Sequence, residues 1–223
     1  MLQPVVYSPP EHIKLDILYQ DNNLIALNKP SGLLSVPGRG VEKQDCMLSR
    51  LQTEFPEALV IHRLDMPTSG IIMFARNKEM QKVMGNLFEK KLIAKQYLAK
   101  VHGVLKEPRG LINQPLMTDW INRPRQKIDY KQGKPSQTRY TLISVINGKN
   151  SIVKLEPITG RSHQLRVHMS SLGHAILGDD LYGTLLTRNE SSRLLLHAEK
   201  ISFIDPLTKS PINIHCPVDF YEK

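Results

Sequence analysis

LDILYQDNNLIALNKPSG, residues 15–32, sets the pattern that most constrains this chain: short apolar runs rich in Leu and Ile, interrupted by polar turn formers and closed by Lys-Pro-Ser-Gly. Such a run predicts two strands around the turn Asp21-Asn22-Asn23. The same grammar recurs. Apolar runs at 59–64 and 71–75 flank the segment HRLDMPTSG, and 95–101, 137–145, 151–156, 162–169 and 193–204 are further strand candidates. One segment differs, because Met80, Val83, Met84, Leu87 and Phe88 recur at helical spacing after Asn77, a good N-cap, and form a core-facing stripe. No internal repeat and no composition shift marks a second domain. The pattern predicts a single α+β domain, a large mixed, mostly antiparallel sheet flanked by helices and loops, over residues 15–223, with 1–14 as an N-terminal extension.

Composition narrows the function classes. At 223 residues with 40% apolar and 23% charged residues the chain buries a substantial core. No apolar run approaches membrane-spanning length, and the first residues lack the pattern of a signal peptide, so a cytoplasmic address is expected and no membrane partner. Cys46 and Cys216 lie far apart without CxxC spacing, which argues against a zinc site and a disulfide framework. Thirty Lys and Arg against 21 Asp and Glu give a net charge of +9, a balance that favours a polyanionic partner. Residues 119–140, DWINRPRQKIDYKQGKPSQTRY, interleave Arg123, Arg125, Lys127, Lys131, Lys134 and Arg139 with Trp120, Tyr130 and Tyr140. Cations for phosphates with rings for stacking suit looped RNA; a solvated connecting loop suits the same residues.

HRLDMPTSG, residues 62–70, places Asp65 at the end of an apolar run and before a tight return through Pro67, Thr68, Ser69 and Gly70. Asp65 reads either as an Asx-turn former or as a reacting carboxylate, and the second role needs a partner elsewhere in the chain. Lys29, in the turn KPSG, is likewise either a functional cation or a charge beside a turn. Ser69 lacks the G-x-S-x-G elbow of a hydrolase, no phosphate-binding or dinucleotide fingerprint occurs, and Asp179-Asp180 is too small a carboxylate group for a two-metal nuclease. His163, His168 and His174 are spaced five and six apart, which suits hydrogen bonding and packing better than a metal site. No metal is therefore expected. Residues 157–174, read as containing a strand, put Gln164, Arg166 and His168 on one face, and an arginine there could form a bidentate pair with a carboxylate and keep it ionised.

The runs LNKPSGLLSVPG, HRLDMPTSG, GRSHQLRVHM, LGHAILGDDLYG and RLLLHA, in this order, resemble the signature set of the RluA-type pseudouridine synthases, from residue 15 to past Ala198. The resemblance implies the pseudouridine synthase catalytic fold and an RNA-modifying isomerase without a cofactor. The reaction cleaves the uridine N1–C1′ bond, turns the base and rejoins it through C5, after the target base has been flipped from its stack. In the family's terms Asp65 is the essential aspartate, attacking C6 or C1′ or assisting a glycal-type elimination. Arg166 is the arginine that pairs with it, and Tyr97 the tyrosine that stacks on the flipped base. Arg63 corresponds to the arginine that takes the departed base's place, and Leu196, or its neighbour Leu195, lines the uracil pocket. Lys29, Arg161 and Gln164 shape the site or contact RNA, and Arg123, Arg125 and Lys127 are further RNA-binding candidates. The short chain, the NRPRQKIDYKQGKPSQT tract and the lack of an S4-like domain point to family members that modify both large-subunit rRNA and the anticodon stem-loop of tRNA. The expected partner is thus RNA and not DNA, with the protein acting as a monomer. A non-catalytic RNA-binding or ribosome-assembly factor on the same scaffold is the competing reading.

Overall fold

The computed structural model describes residues 7–11 and 14–221. The α+β chain is organised as two compact units, Met1–Lys90 and Lys91–Lys223. In the first, β1 (Ile17–Gln20) and β2 (Leu24–Lys29) form the expected antiparallel hairpin. Its turn is built by Asp21, whose carboxylate accepts the backbone N–H groups of Asn23 and Leu24 at 2.6 and 2.7 Å. α1 (Met47–Gln52) follows, and its buried Arg50 holds Asp45 in a two-pronged ion pair and donates to the carbonyl of Pro10. Residues 7–11, assigned from sequence to an extension, are therefore tied to this unit. β3 (Leu59–Val60) is much shorter than the apolar run 59–64 predicts, because the chain leaves the sheet at residue 61 to form the HRLD loop. β4 (Ser69–Ala75) is buried at every position and pairs antiparallel with β2 and β3.

α2 (Lys78–Glu89) is the helix read from the sequence, with Met80 and Met84 buried. The Asn77 side chain accepts the Met80 N–H at 2.8 Å, which satisfies one of the donors left open at a helix start. Asn77→Ala is expected to cost about 1 kcal/mol of stability, read as a lower urea midpoint; an unchanged midpoint would show that the cap contributes nothing.

The second unit is a six-stranded antiparallel sheet among the described residues. β5 (Ala94–His102) lies between β10 (Asn150–Pro157) and β11 (Leu196–Ile204). β9 (Gln137–Ile146) joins β10 to β6 (Arg109–Asn113), and β12 (Pro211–His215) lies on β11. β7 (Leu116–Thr118) and β8 (Gln126–Ile128) make a separate small ribbon. The core of this unit joins Ala99, Val101, Val153, Leu155 and Leu196 of the sheet to Leu165 and Met169.

Those last two residues belong to α3 (Gln164–Ser171), a helix where the sequence reading has a strand over 162–169. Leu165 and Met169 share a helix face into the core, and Gln164 and His168, also four apart, both reach the Thr138 hydroxyl, at 3.0 and 2.9 Å. The apparent alternation of polar and apolar residues is a by-product of a segment buried from Gln164 to Met169. The tract 119–140 is also divided. Trp120 and Tyr130 are exposed, whereas Tyr140 lies on β9 against the core. A short α4 (Leu185–Asn189) completes the helices described here.

Candidate active site

In the first unit Asp65 occupies a loop between β3 and β4, half-buried, two residues after the exposed Arg63. The turn is closed by backbone, with the Thr68 N–H donating to the Asp65 carbonyl at 3.1 Å. Both flanks are fastened to residues 31–35. The Ser31 hydroxyl donates to the Pro67 carbonyl at 2.7 Å, the Gly32 N–H to Met66 at 2.9 Å, and the Ser35 hydroxyl to Leu64 at 2.7 Å. At the loop's start His62 stacks near Phe88, ring centroids 4.8 Å apart, and its Nε2 accepts the Met73 N–H at 3.0 Å. The sequence reading assigned His62 no role.

Lys29 is the central post of this arrangement. Its register partner on β4 is Gly70, the last residue of HRLDMPTSG, so the end of β2 lies directly beside the loop's exit. The side chain is 0% exposed, and its ammonium donates to three carbonyls, those of Pro30, Leu33 and Met66, at 2.9, 2.7 and 3.0 Å. Three N–H donors meet three acceptors, so Lys29 shapes the loop and does not reach outward to RNA. Burial lowers its pKa to about 7, opposed by the nearby negative charge of Asp65.

In the second unit Arg166 is 2% exposed on α3. Its Nε and Nη2 clasp Asp179 at 2.8 and 2.6 Å, and Nη2 also reaches Asp180 at 2.8 Å. Asp179-Asp180, dismissed from sequence as a metal pair, is the bidentate partner that holds this guanidinium. Asp179 is itself fixed by the backbone N–H groups of Leu181 and Tyr182, both at 3.0 Å. The turn before it requires Gly178, at φ +74, where a Cβ would stand 1.9 Å from the Arg193 carbonyl oxygen.

The other candidates are distributed as follows. Tyr97 is half-buried on β5, between Leu155 and Ala198, and packs against the core. Leu196 is a core residue at 2% exposure and Leu195 its buried neighbour. Gln164 is buried with both ends engaged: its carbonyl oxygen accepts from Thr159 and Arg161, and its amide donates to Gln137 and Thr138. It shapes the start of α3 and has no surface to offer RNA. Arg161 is exposed beside it, as are Arg123, Arg125 and Lys127 on the β7–β8 ribbon.

The three histidines take separate structural positions. His168 bridges Thr138 and the Gln114 carbonyl, and burial holds its pKa below the ordinary value. His163 caps α3 in a left-handed conformation, and His174 donates to the His102 carbonyl. Among the described residues no group of three or more His, Cys, Asp or Glu is placed to hold a metal ion, and no helix is long and apolar enough to cross a membrane.

The geometry now has relatives to set beside it. Residues 23–171 match the RNA pseudouridylate synthase family. The chain is similar to the dual-specificity RNA pseudouridine synthase RluA of Vibrio cholerae, 47% identical over 215 residues, covering 96% of this chain and 87% of the relative. RluA of Escherichia coli K12 is 46% identical over 214 residues, covering 96% and 98%. Among solved structures, human RNA pseudouridylate synthase domain containing 1 superposes with a TM-score of 0.80 at 29% identity, covering 96% of this chain and 87% of that one. A match of this length, through both the Asp65 loop and the Arg166 helix, is decisive: the chain belongs to the RNA pseudouridine synthase family of RNA-modifying isomerases.

Proposed function

We propose that this enzyme isomerises specific uridines in both large-subunit rRNA and the anticodon stem-loop of tRNA. The observation that carries this reading is near-full-length identity of 46–47% with two enzymes named for dual specificity. Asp65, Arg166 and Tyr97 are its catalytic residues. Asp65 acts as a carboxylate in every route open to it, on C6, on C1′ or in a glycal-type elimination. The uridine loses its N1–C1′ bond, gains a C5–C1′ bond, releases the C5 hydrogen to water and takes one proton on N1, so nothing is consumed. Arg63, exposed two residues from Asp65, is suited to fill the space left by the flipped base. Leu196 serves the uracil pocket. Arg161, Arg123, Arg125 and Lys127 supply phosphate contacts, while Lys29 and Gln164 act by shaping the loops that carry the site. The protein works as a cytoplasmic monomer, residues 15–223 forming its catalytic domain.

Stem-loop RNAs tritiated at uridine C5, one taken from rRNA and one from a tRNA anticodon arm, should each release tritium to water on incubation with the purified protein. Release from only one RNA class would refute dual specificity. Silence with total rRNA and tRNA, where a control synthase works, would remove the activity altogether.

A further inference from the structure

The β7–β8 ribbon carries the chain's single tryptophan at its tip. Trp120 is 66% exposed and Ile121 94%, and the Arg123 guanidinium lies 3.6 Å from the Trp120 ring centroid. The tip is braced by the Asp119 N–H donating to the Arg125 carbonyl at 2.9 Å, and by the Asp119 carboxylate accepting from the Asn122 side chain at 2.9 Å. An exposed ring under a guanidinium, in a basic tract, is a platform for an unpaired base and its phosphate.

One residue further along, the Gln126 N–H donates to the Tyr182 hydroxyl at 2.7 Å. That hydroxyl is also 2.7 Å from Nδ1 of His163, the N-cap residue just before α3, and the two rings meet edge-on with centroids 5.6 Å apart. The Tyr182 ring stands 5.2 Å from the guanidinium carbon of Arg166. Its backbone N–H binds the Asp179 carboxylate that clasps Arg166, and its carbonyl accepts from Ser170 near the end of α3. One side chain thus touches the ribbon, the beginning of the helix and the arginine. A two-stranded ribbon of three residues a side has little stability of its own, so the contacts at its base set its orientation.

We propose that Tyr182 is a positioning residue that ties engagement of RNA by the Trp120–Arg123 tip to the placement of Arg166. The inference rests on the function proposed above. RNA that stacks on the tip orders the ribbon, and the order passes through the Gln126–Tyr182 bond to the ring against which the guanidinium lies. The stem-loop's unpaired bases thereby influence turnover as well as affinity, and the enzyme favours substrates that occupy the tip.

Tyr182→Phe keeps the ring and removes the hydroxyl, and Trp120 supplies an intrinsic fluorescence signal for tip occupancy. In that variant the RNA-induced change in Trp120 fluorescence should persist with an affinity within about twofold of wild type, while kcat falls about five- to twentyfold. Trp120→Ala should lower kcat in the wild-type background and have no further effect beside Tyr182→Phe. An unchanged kcat in Tyr182→Phe, or effects of the two substitutions that simply multiply, would overturn the proposal. The wild-type protein gives a reading that needs no variant: RNA binding should slow hydrogen exchange at the Gln126 amide, and an amide indifferent to RNA overturns the link. An enzyme that isomerises RNA without any change in Trp120 fluorescence loses this inference and keeps its activity; one that acts on no RNA loses the function itself.

Discussion

Asp65→Asn is expected to reduce single-turnover pseudouridine formation by at least about a thousandfold while the protein folds and binds a stem-loop RNA close to normally. Asparagine matches aspartate in shape, and the bond that closes the turn uses the Asp65 backbone carbonyl, which the substitution leaves in place. The flanking ties from Ser31, Gly32 and Ser35 are also made to backbone. What is lost is the negative charge and the oxygen lone pairs of a carboxylate. Tritium release, a filter-binding affinity and a thermal melt separate the three quantities. Turnover within tenfold of wild type would remove Asp65 from its assigned role. The charge loss has a local sign as well: Asp65 holds the Lys29 pKa up, so Asp65→Asn drives it further down.

Lys29→Met tests the support beneath that carboxylate. The carbonyls of Pro30 and Leu33 lose their ammonium partner, whereas Met66 keeps the Gly32 N–H. The Leu33 carbonyl is left stranded in a buried position while that of exposed Pro30 turns to water, a loss of about 1–3 kcal/mol. Loosening the loop that carries Asp65 is expected to lower kcat by about ten- to a hundredfold, with a smaller effect on KM.

The pH dependence of the stability loss follows from linkage. Lys29 has a folded pKa of about 7 against an ordinary 10.5. Between those values the unfolded chain binds more protons than the folded one, so the wild type gains stability as pH rises, by up to about 1.4 kcal/mol per unit. The gain is complete above the unfolded value and is lost as pH falls toward 7. The variant has no such group, so its deficit against wild type in urea titrations should widen from pH 7 to pH 9. A deficit independent of pH would show that the buried amine does not titrate in this range.

How much of this was legible in the sequence depended on whether one physical rule acted alone. The β1–β2 hairpin and α2 were readable because turn chemistry and periodicity agree there, and Asp21 and Asn77 make the bonds those residue types favour. α3 was not. Over eight residues Leu165, Val167 and Met169 satisfy a strand's period, and Leu165 with Met169 satisfies a helix's; burial on every side erased the polar face that separates the two. Lys29 carried a signal that was passed over, a lysine ending the near-continuous apolar run LIALN of an interior strand, where a cation needs acceptors. The roles of Asp65, Arg166 and Tyr97 came from the family resemblance. The clasp of Arg166 by Asp179, across thirteen residues, was invisible because no local rule pairs a helix with the turn that follows it.

β4 has a consequence for the protein's life outside its native state. SGIIMFA has no charge and no proline, and all seven positions are buried between neighbours. Once heat or denaturant opens the first unit, this segment becomes a sticky template for self-association, and the chain's charge of +9 is the main force keeping such molecules apart. Salt weakens that repulsion. Recovery after heating is therefore governed by a race between refolding and clumping, and dilute, low-salt conditions favour the first.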